Sequence, residues 1–554
     1  MDRRTTLNTL LGRNKKSTVA APSVQTLSPS SADLTPYGGP WTYELAAHLL
    51  RRCTFGPTYA QIKTALAEGM DATIDTLLTD LPLPNPPLNY NDPEDPNVPI
   101  GSTWVDAIYT DQLQANARRR SLNAWTIGGL LNEGVSIREK MVLFWHNHFV
   151  IESTVVQDPK FVYHYSNTLR SFALGNFRSF VKAITIDPAM LRYLNGNQNS
   201  RFAPNENYAR ELLELFTIGK GVPAGPGDYT TFTEEDVAAV ARVLTGWRDQ
   251  GYYATEATDV GAIFLNFRHD TEDKQLSHRF NNIVISNGGD QEYAQLIDII
   301  FQQDEVARFI CRKLYRWFVY YQIDETIEAN VIAPMAQILI DNDYEIQPAL
   351  RALLTSSHFY EGEHIGCMIK HPIDYVVGLF NQFEISIPNG LVQRYGLWLS
   401  IFRLTPQLQM EYYGPPNVAG WKAFYQTPVF YQIWLNSVTL PIRMAFSNQI
   451  VSPGYNNGNL IIDALGFLDK IDEPADIDPL LDEFVKILLP KPVLENQIVF
   501  LKDVLIPGLP DYEWNVEYSE YASDPGNTDL AEGVRNKVRD LLTTILSMPE
   551  YQLL

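Results

Sequence analysis

Cysteine is scarce in this 554-residue chain: Cys53, Cys311 and Cys367 are too few for a disulfide framework, and none stands in a CxxC or other metal-ligand spacing. Cys311, inside Phe309-Ile310-Cys311-Arg312-Lys313-Leu314, reads as a small core residue. Uninterrupted apolar runs of about 18 residues are missing, so no membrane span is expected. Positive charge is also in short supply, with 43 Lys+Arg against 65 Asp+Glu and a net charge of −22. That field repels phosphate backbones and anionic surfaces, so nucleic acid is not an expected partner.

The N-terminus lacks a complete export signal. Arg3-Arg4 followed by Leu7 gives a twin-arginine-like start, but Asn8, Arg13, Asn14, Lys15 and Lys16 interrupt the apolar region that such a signal needs. Residues 17–40 are rich in Ser, Thr, Pro and Gly, so residues 1–40 are expected to form a disordered leader and 41–554 a single folded domain.

Aromatic residues, by contrast, are plentiful: 29 Tyr, 26 Phe and 10 Trp predict a ring-rich core whose polar edges need partners. Helical periodicity recurs near 103–131, 291–321, 326–340, 372–384 and 533–547. Capping-box patterns begin at Thr58, Ser136 and Thr233, and Gly69 and Gly246 are placed to stop helices. Strand signals are confined to Val284-Ile285 and the 251–267 region. Proline-dense residues 81–101 and Gly/Asn-rich 452–459 read as long loops, and 452–525 as an irregular C-terminal elaboration. The expected fold is therefore mainly α: a large single-core multi-helix domain with long loops and little β.

Four polar segments carry the candidate chemistry. In the first, His146 and His148 lie about 200° apart on a helix, so both cannot serve one metal as the histidines of HExxH do. In the second, Asn205-Glu206-Asn207-Tyr208-Ala209-Arg210-Glu211, Glu206, Arg210 and Glu214 form one helical stripe, with Asn207 and Glu211 on a neighbouring stripe. Leucines crowd the same turns, so a carboxylate there is either ion-paired with Arg210 or shifted upward in pKa for acid–base work. The third, His269-Asp270 with Lys274, supplies imidazole, carboxylate and ammonium, a grouping used in hydrolysis and equally in tying down a loop. The fourth, Gly414-Pro415-Pro416-Asn417-Val418-Ala419-Gly420-Trp421, pairs a constrained loop with a large ring, and Trp247 is a second ring able to wall a ligand site or fill the core.

Together with Ala46–Pro57, Lys140–Phe149, Asn205–Gly219, Tyr229–Trp247 and Ser547–Tyr551, these segments resemble a bacterial family, domain of unknown function 1800, from about residue 43 to the end. The resemblance implies a mainly helical, often exported protein. It further implies a neighbour-encoded partner of a second family, domain of unknown function 1501, similar to alkaline phosphatases and sulfatases. This sequence departs from the pattern at its N-terminus, which puts a periplasmic or exported location in doubt, and at His371, where a small residue before the proline is usual.

Three functional readings stay open on the sequence. The enzyme reading gathers His146, His148, Glu206, Arg210, Glu211, His269, Asp270 and Lys274 in a central cleft as a hydrolase or lyase for a polymer or glycan, with Asn205, Asn207, Trp247 and Trp421 contacting substrate. The assembly reading makes them a buried network in a non-catalytic partner of the phosphatase-like neighbour. The metal reading has carboxylates with His146 or His148 and His269 holding a divalent ion across helices.

Overall fold

Local sequence signals set the first helices. The Thr58 hydroxyl accepts from Gln61 N–H at 3.1 Å while the Gln61 side chain accepts from Thr58 N–H at 2.9 Å, and Gly69, at φ +88°, ends the helix Tyr59–Glu68 they open. Thr233 and Asp236 repeat that reciprocal cap. The Ser136 pattern folds differently: its hydroxyl accepts from Arg138 N–H, and Glu139 turns away to an arginine.

The computed structural model describes residues 32–90 and 95–554; the expected twin-arginine start and most of the expected leader fall outside the described residues. Helices that position the site are Tyr43–Cys53 (α1), Leu113–Asn132 (α2), Arg138–His148 (α3) and Pro159–Ser171 (α4). Glu206–Glu211 (α5) and Glu234–Val243 (α6) precede a hairpin of Trp247–Gln250 (β1) and Gly261–Phe264 (β2). Glu292–Ile300 (α7), Asp304–Phe318 (α8), Pro372–Gln382 (α9), Leu391–Leu404 (α10) and Thr528–Ser547 (α11) follow.

Helix dominates, and strand is limited among the described residues to three two-stranded antiparallel sheets. In one, Trp247 pairs with Phe264 and Gln250 with Gly261; in another, Val284-Ile285 pairs with Lys274-Gln275, where a short sheet is expected from the sequence. One continuous hydrophobic core runs through the helices. Its deepest rings keep their polar edges bonded, Trp104 to Ser121 Oγ at 2.9 Å and Trp145 to the Ala173 carbonyl at 2.9 Å.

Two expectations need correction. Residues 452–463 are irregular, but 464–525 are not: they fold as helices Ala464–Leu468, Ile477–Leu488, Glu495–Leu505 and Tyr512–Ser523, with Pro490, Pro492, Pro507 and Pro510 falling in the breaks between them. The folded body also begins before Trp41. Ala32 is buried, Tyr37 N–H donates to the Thr355 carbonyl at 2.8 Å and Pro36 bridges to Ser356, so short backbone pairing docks a stretch whose composition suggests leader.

Candidate active site

A close glycine contact in α2 shapes one cleft. At Gly128 a Cβ would sit 2.7 Å from Trp398 ring carbons, so only glycine lets α10 lay that ring across α2. At Gly129 a Cβ would meet only ordinary contacts, 3.9 Å from Arg170 Nη2 and 4.0 Å from Glu139 Oε2. The resulting cleft has a volume of about 760 Å³ and is walled by Trp125, Tyr395 and Trp398. Asn85 holds one wall by accepting the Trp125 indole N–H at its carbonyl, 2.7 Å away.

Three carboxyl groups, Glu133, Glu139 and the Lys470-paired Glu384, line it with Arg138 and Arg394, and Arg170 supports it from beneath. Arg170 forks onto Glu139 at 2.7 and 2.9 Å, and its guanidinium lies 4.5 Å over the Trp125 ring. Arg138 donates to Glu133 Oε2 at 2.7 Å and stands 3.7 Å from Glu139 Oε1, linking the two acids. Arg394 lies at the rim, over the Trp398 ring at 5.3 Å. Burial raises the Glu133 carboxyl above the ordinary carboxylate range; Glu139 raises it further, and Arg138 only partly offsets both. Its side chain is 8% exposed, against 1% for Glu139, so of this linked pair Glu133 is the one within reach of a ligand. A larger recess, about 1240 Å³, holds His164 on Asp187 at 2.9 Å.

A family model described as a protein of unknown function, DUF1800, matches residues 48–553. The chain belongs to this family. No curated protein and no solved structure matches it.

In this DUF1800 chain the residues singled out in the sequence divide among separate polar groups, and none lines either cleft described above. His146 is fully buried among Tyr165, Tyr412, Tyr413 and Trp421, with Nδ1 on the Tyr165 hydroxyl at 2.9 Å and Nε2 on the Tyr412 carbonyl. Burial drives its pKa down to about 3. His148 bonds the Phe216 carbonyl at 3.0 Å and Lys313 Nζ at 2.9 Å; burial, with Lys313 beside it, holds it well below 6.5. Burial also lowers Lys313, to about 7.

On α5, Asn205 caps the helix through Asn207 N–H at 3.0 Å, while Asn207 and Glu206 are exposed. Arg210 forks onto Glu234 at 2.8 and 2.6 Å, not onto the neighbouring Glu211, whose carboxyl is raised by burial and by Glu214.

The third group does meet, around a residue absent from the sequence reading. Glu292, at the start of α7, takes His269 Nε2 on one oxygen at 2.9 Å and Lys274 Nζ on the other at 2.7 Å, with all three side chains buried. Burial pushes the Glu292 carboxyl up, but the bonds from His269, Lys274 and Gly288 N–H outweigh it and leave it below the usual range. Asp270 forks with Arg242 at 2.7 and 3.1 Å, and Lys274 also donates to its carbonyl. Trp247 packs on Phe264 and Tyr293, and Trp421 on His146, both as buried rings.

His371, the departure before Pro372, caps α9: its Nδ1 accepts from Asp374 N–H at 3.1 Å. Burial alone would raise Asp374, but His371 and Lys140 hold it at about 2. The divalent-metal expectation also changes partners. Among the described residues the side chains grouped closely enough to share an ion are His358, Glu361 and His364, not His146, His148 or His269. Their His-x-x-Glu-x-x-His spacing was visible in the sequence, as was the Gly128-Gly129 pair; Glu133 and Glu292 carried no local signal.

Proposed function

We propose that this DUF1800 protein is an acid–base hydrolase or lyase for a glycan or similarly polar polymer, with the Trp125–Trp398 cleft as its site and Glu133 as proton donor. The observation that carries the reading is the Glu133 carboxyl, raised by burial and Glu139 within an aromatic-walled cleft. A carboxyl whose pKa is raised holds its proton to higher pH and can give it to a departing alkoxide oxygen as the C–O bond breaks, the leaving group departing as a hydroxyl. Glu139, clamped by Arg170 beneath it, is a positioning residue: its charge keeps the proton on Glu133. Rings at Trp125, Tyr395 and Trp398 suit the apolar faces of sugars, and Arg138 and Arg394 suit their hydroxyls. His146, His148, His269 and Lys274 are left out of this scheme because each is committed to buried partners.

A screen of purified protein against bacterial glycans tests the reading. Once turnover is found, Glu133→Gln should cut kcat/KM by about 10²–10⁴-fold with little change in Tm. The acid form is lost as pH rises through its raised pKa, so kcat/KM should fall on the alkaline side. Glu139→Gln should move that fall to lower pH. Turnover that survives Glu133→Gln intact retires Glu133 as the acid.

A further inference from the structure

Away from the cleft, the 3₁₀ turn Ser357–Tyr360 and the loop after it bring three metal-type ligands together. One ligand atom each from His358, Glu361 and His364 lies within 4.8 Å of the other two. His358 Nδ1 is 3.0 Å and His364 Nε2 is 3.5 Å from the same oxygen, Glu361 Oε2. These separations bracket the ligand–ligand edge of about 3.3 Å in a tetrahedron with metal–ligand bonds of about 2.0 Å. The third pair, His358 and His364, lies within 4.8 Å and would draw together on an ion.

Independent features point the same way. The outer nitrogen of His358, Nε2, meets the Tyr315 hydroxyl at 2.9 Å, the kind of second hydrogen bond that fixes the tautomer of a ligating imidazole. His364 Nε2 is buried and makes no hydrogen bond among the described residues. Buried ring nitrogens nearly always have a partner, and among the described residues this one has its closest carboxylate, Glu361 Oε2, at 3.5 Å, so it is placed to take a further ligand. One side of the trio is open, because His358 and His364 line a cavity of about 390 Å³ together with Tyr315, Tyr320 and Glu363.

We propose that His358, Glu361 and His364 bind one divalent transition-metal ion, with a fourth coordination position turned toward this cavity. Two imidazoles and one carboxylate match the donor set of an open three-ligand Zn²⁺ site, whereas Ca²⁺ and Mg²⁺ prefer sites built of oxygen alone. The site does not depend on the Glu133 chemistry and shares no residue with it.

Full-length protein stripped with a chelator is titrated with Zn²⁺ by calorimetry and with Co²⁺ by visible absorption. The expected result is one equivalent per chain, tetrahedral-type Co²⁺ bands, and no comparable heat from Mg²⁺. His364→Gln and Glu361→Gln should each weaken Zn²⁺ at least tenfold, and Tyr315→Phe, which removes only the outer hydrogen bond, by about 10-fold or more. Circular dichroism checks that each variant is folded; the wild-type titration and Tyr315→Phe carry the test if a ligand variant is not. Absence of stoichiometric binding by wild type, or unchanged affinity in the folded variants, overturns the site.

Discussion

Gly56 and Gly378 meet backbone to backbone: a Cβ on Gly56 would lie 2.4 Å from the Gly378 Cα and carbonyl oxygen, whereas a Cβ on Gly378 would lie 3.5 Å from the Gly56 Cα. The contact locks the loop after α1 onto α9 beside the cleft, which Gly56 lines. It is not symmetric, because only Gly56 has positive φ, +76°. Gly56→Ala therefore combines a backbone clash with left-handed strain and should cost about 3 kcal/mol. Gly378→Ala meets only ordinary contacts and gains helix propensity, so it should be neutral or stabilising by up to about 1 kcal/mol. Denaturant unfolding of the two variants gives the comparison, and equal losses would contradict the geometry.

Glu292 is the hub on which His269 and Lys274 converge. Glu292→Gln leaves a buried ammonium without its counter-charge and should destabilise the fold by about 3–5 kcal/mol. Adding Lys274→Met removes the stranded charge, so the double variant should recover part of that loss. A double variant no better than the single one would mean that the ion pair is not the source of the cost.

Acid should unfold the protein partly through His146. Its pKa is about 3 in the fold, against 6.5 for an ordinary imidazole, because burial disfavours the charged ring. The unfolded chain therefore takes up a proton that the native state refuses. That contribution to stability is fully present above pH 6.5 and drains away as pH falls toward 3. In His146→Gln, stability should depend less steeply on pH across that window by up to one proton, whatever its absolute value. An unchanged slope would show that His146 titrates normally.

Much of the fold was legible where a short-range rule applied. Thr58 and Thr233 announce their helices because a cap acts over three residues, and α9 and α11 follow their apolar periodicity. The site was much less legible. Arg210 shared a helical stripe with Glu206 and Glu214 but reaches Glu234 on α6, and His269 is completed by Glu292, 23 residues away. The pattern of ionisable residues in the sequence thus identified ion pairs, half-exposed at Arg210 and buried at His269, that tie separate elements together. The reachable acid, Glu133, sits in what resembles an ordinary helix terminus, and its raised pKa comes from Glu139 and burial that only the packed structure supplies.

The N-terminal stitch bears on the metal-type trio. Ala32 lines the same cavity as His358 and His364, and Pro36 bridges to Ser356, whose hydroxyl caps the turn that carries His358. Trimming the chain past Tyr37 would thus remove one wall of that chamber and loosen the hinge on which an imidazole is mounted. A protease or an expression design that cuts there would be altering ion affinity more than 300 residues downstream.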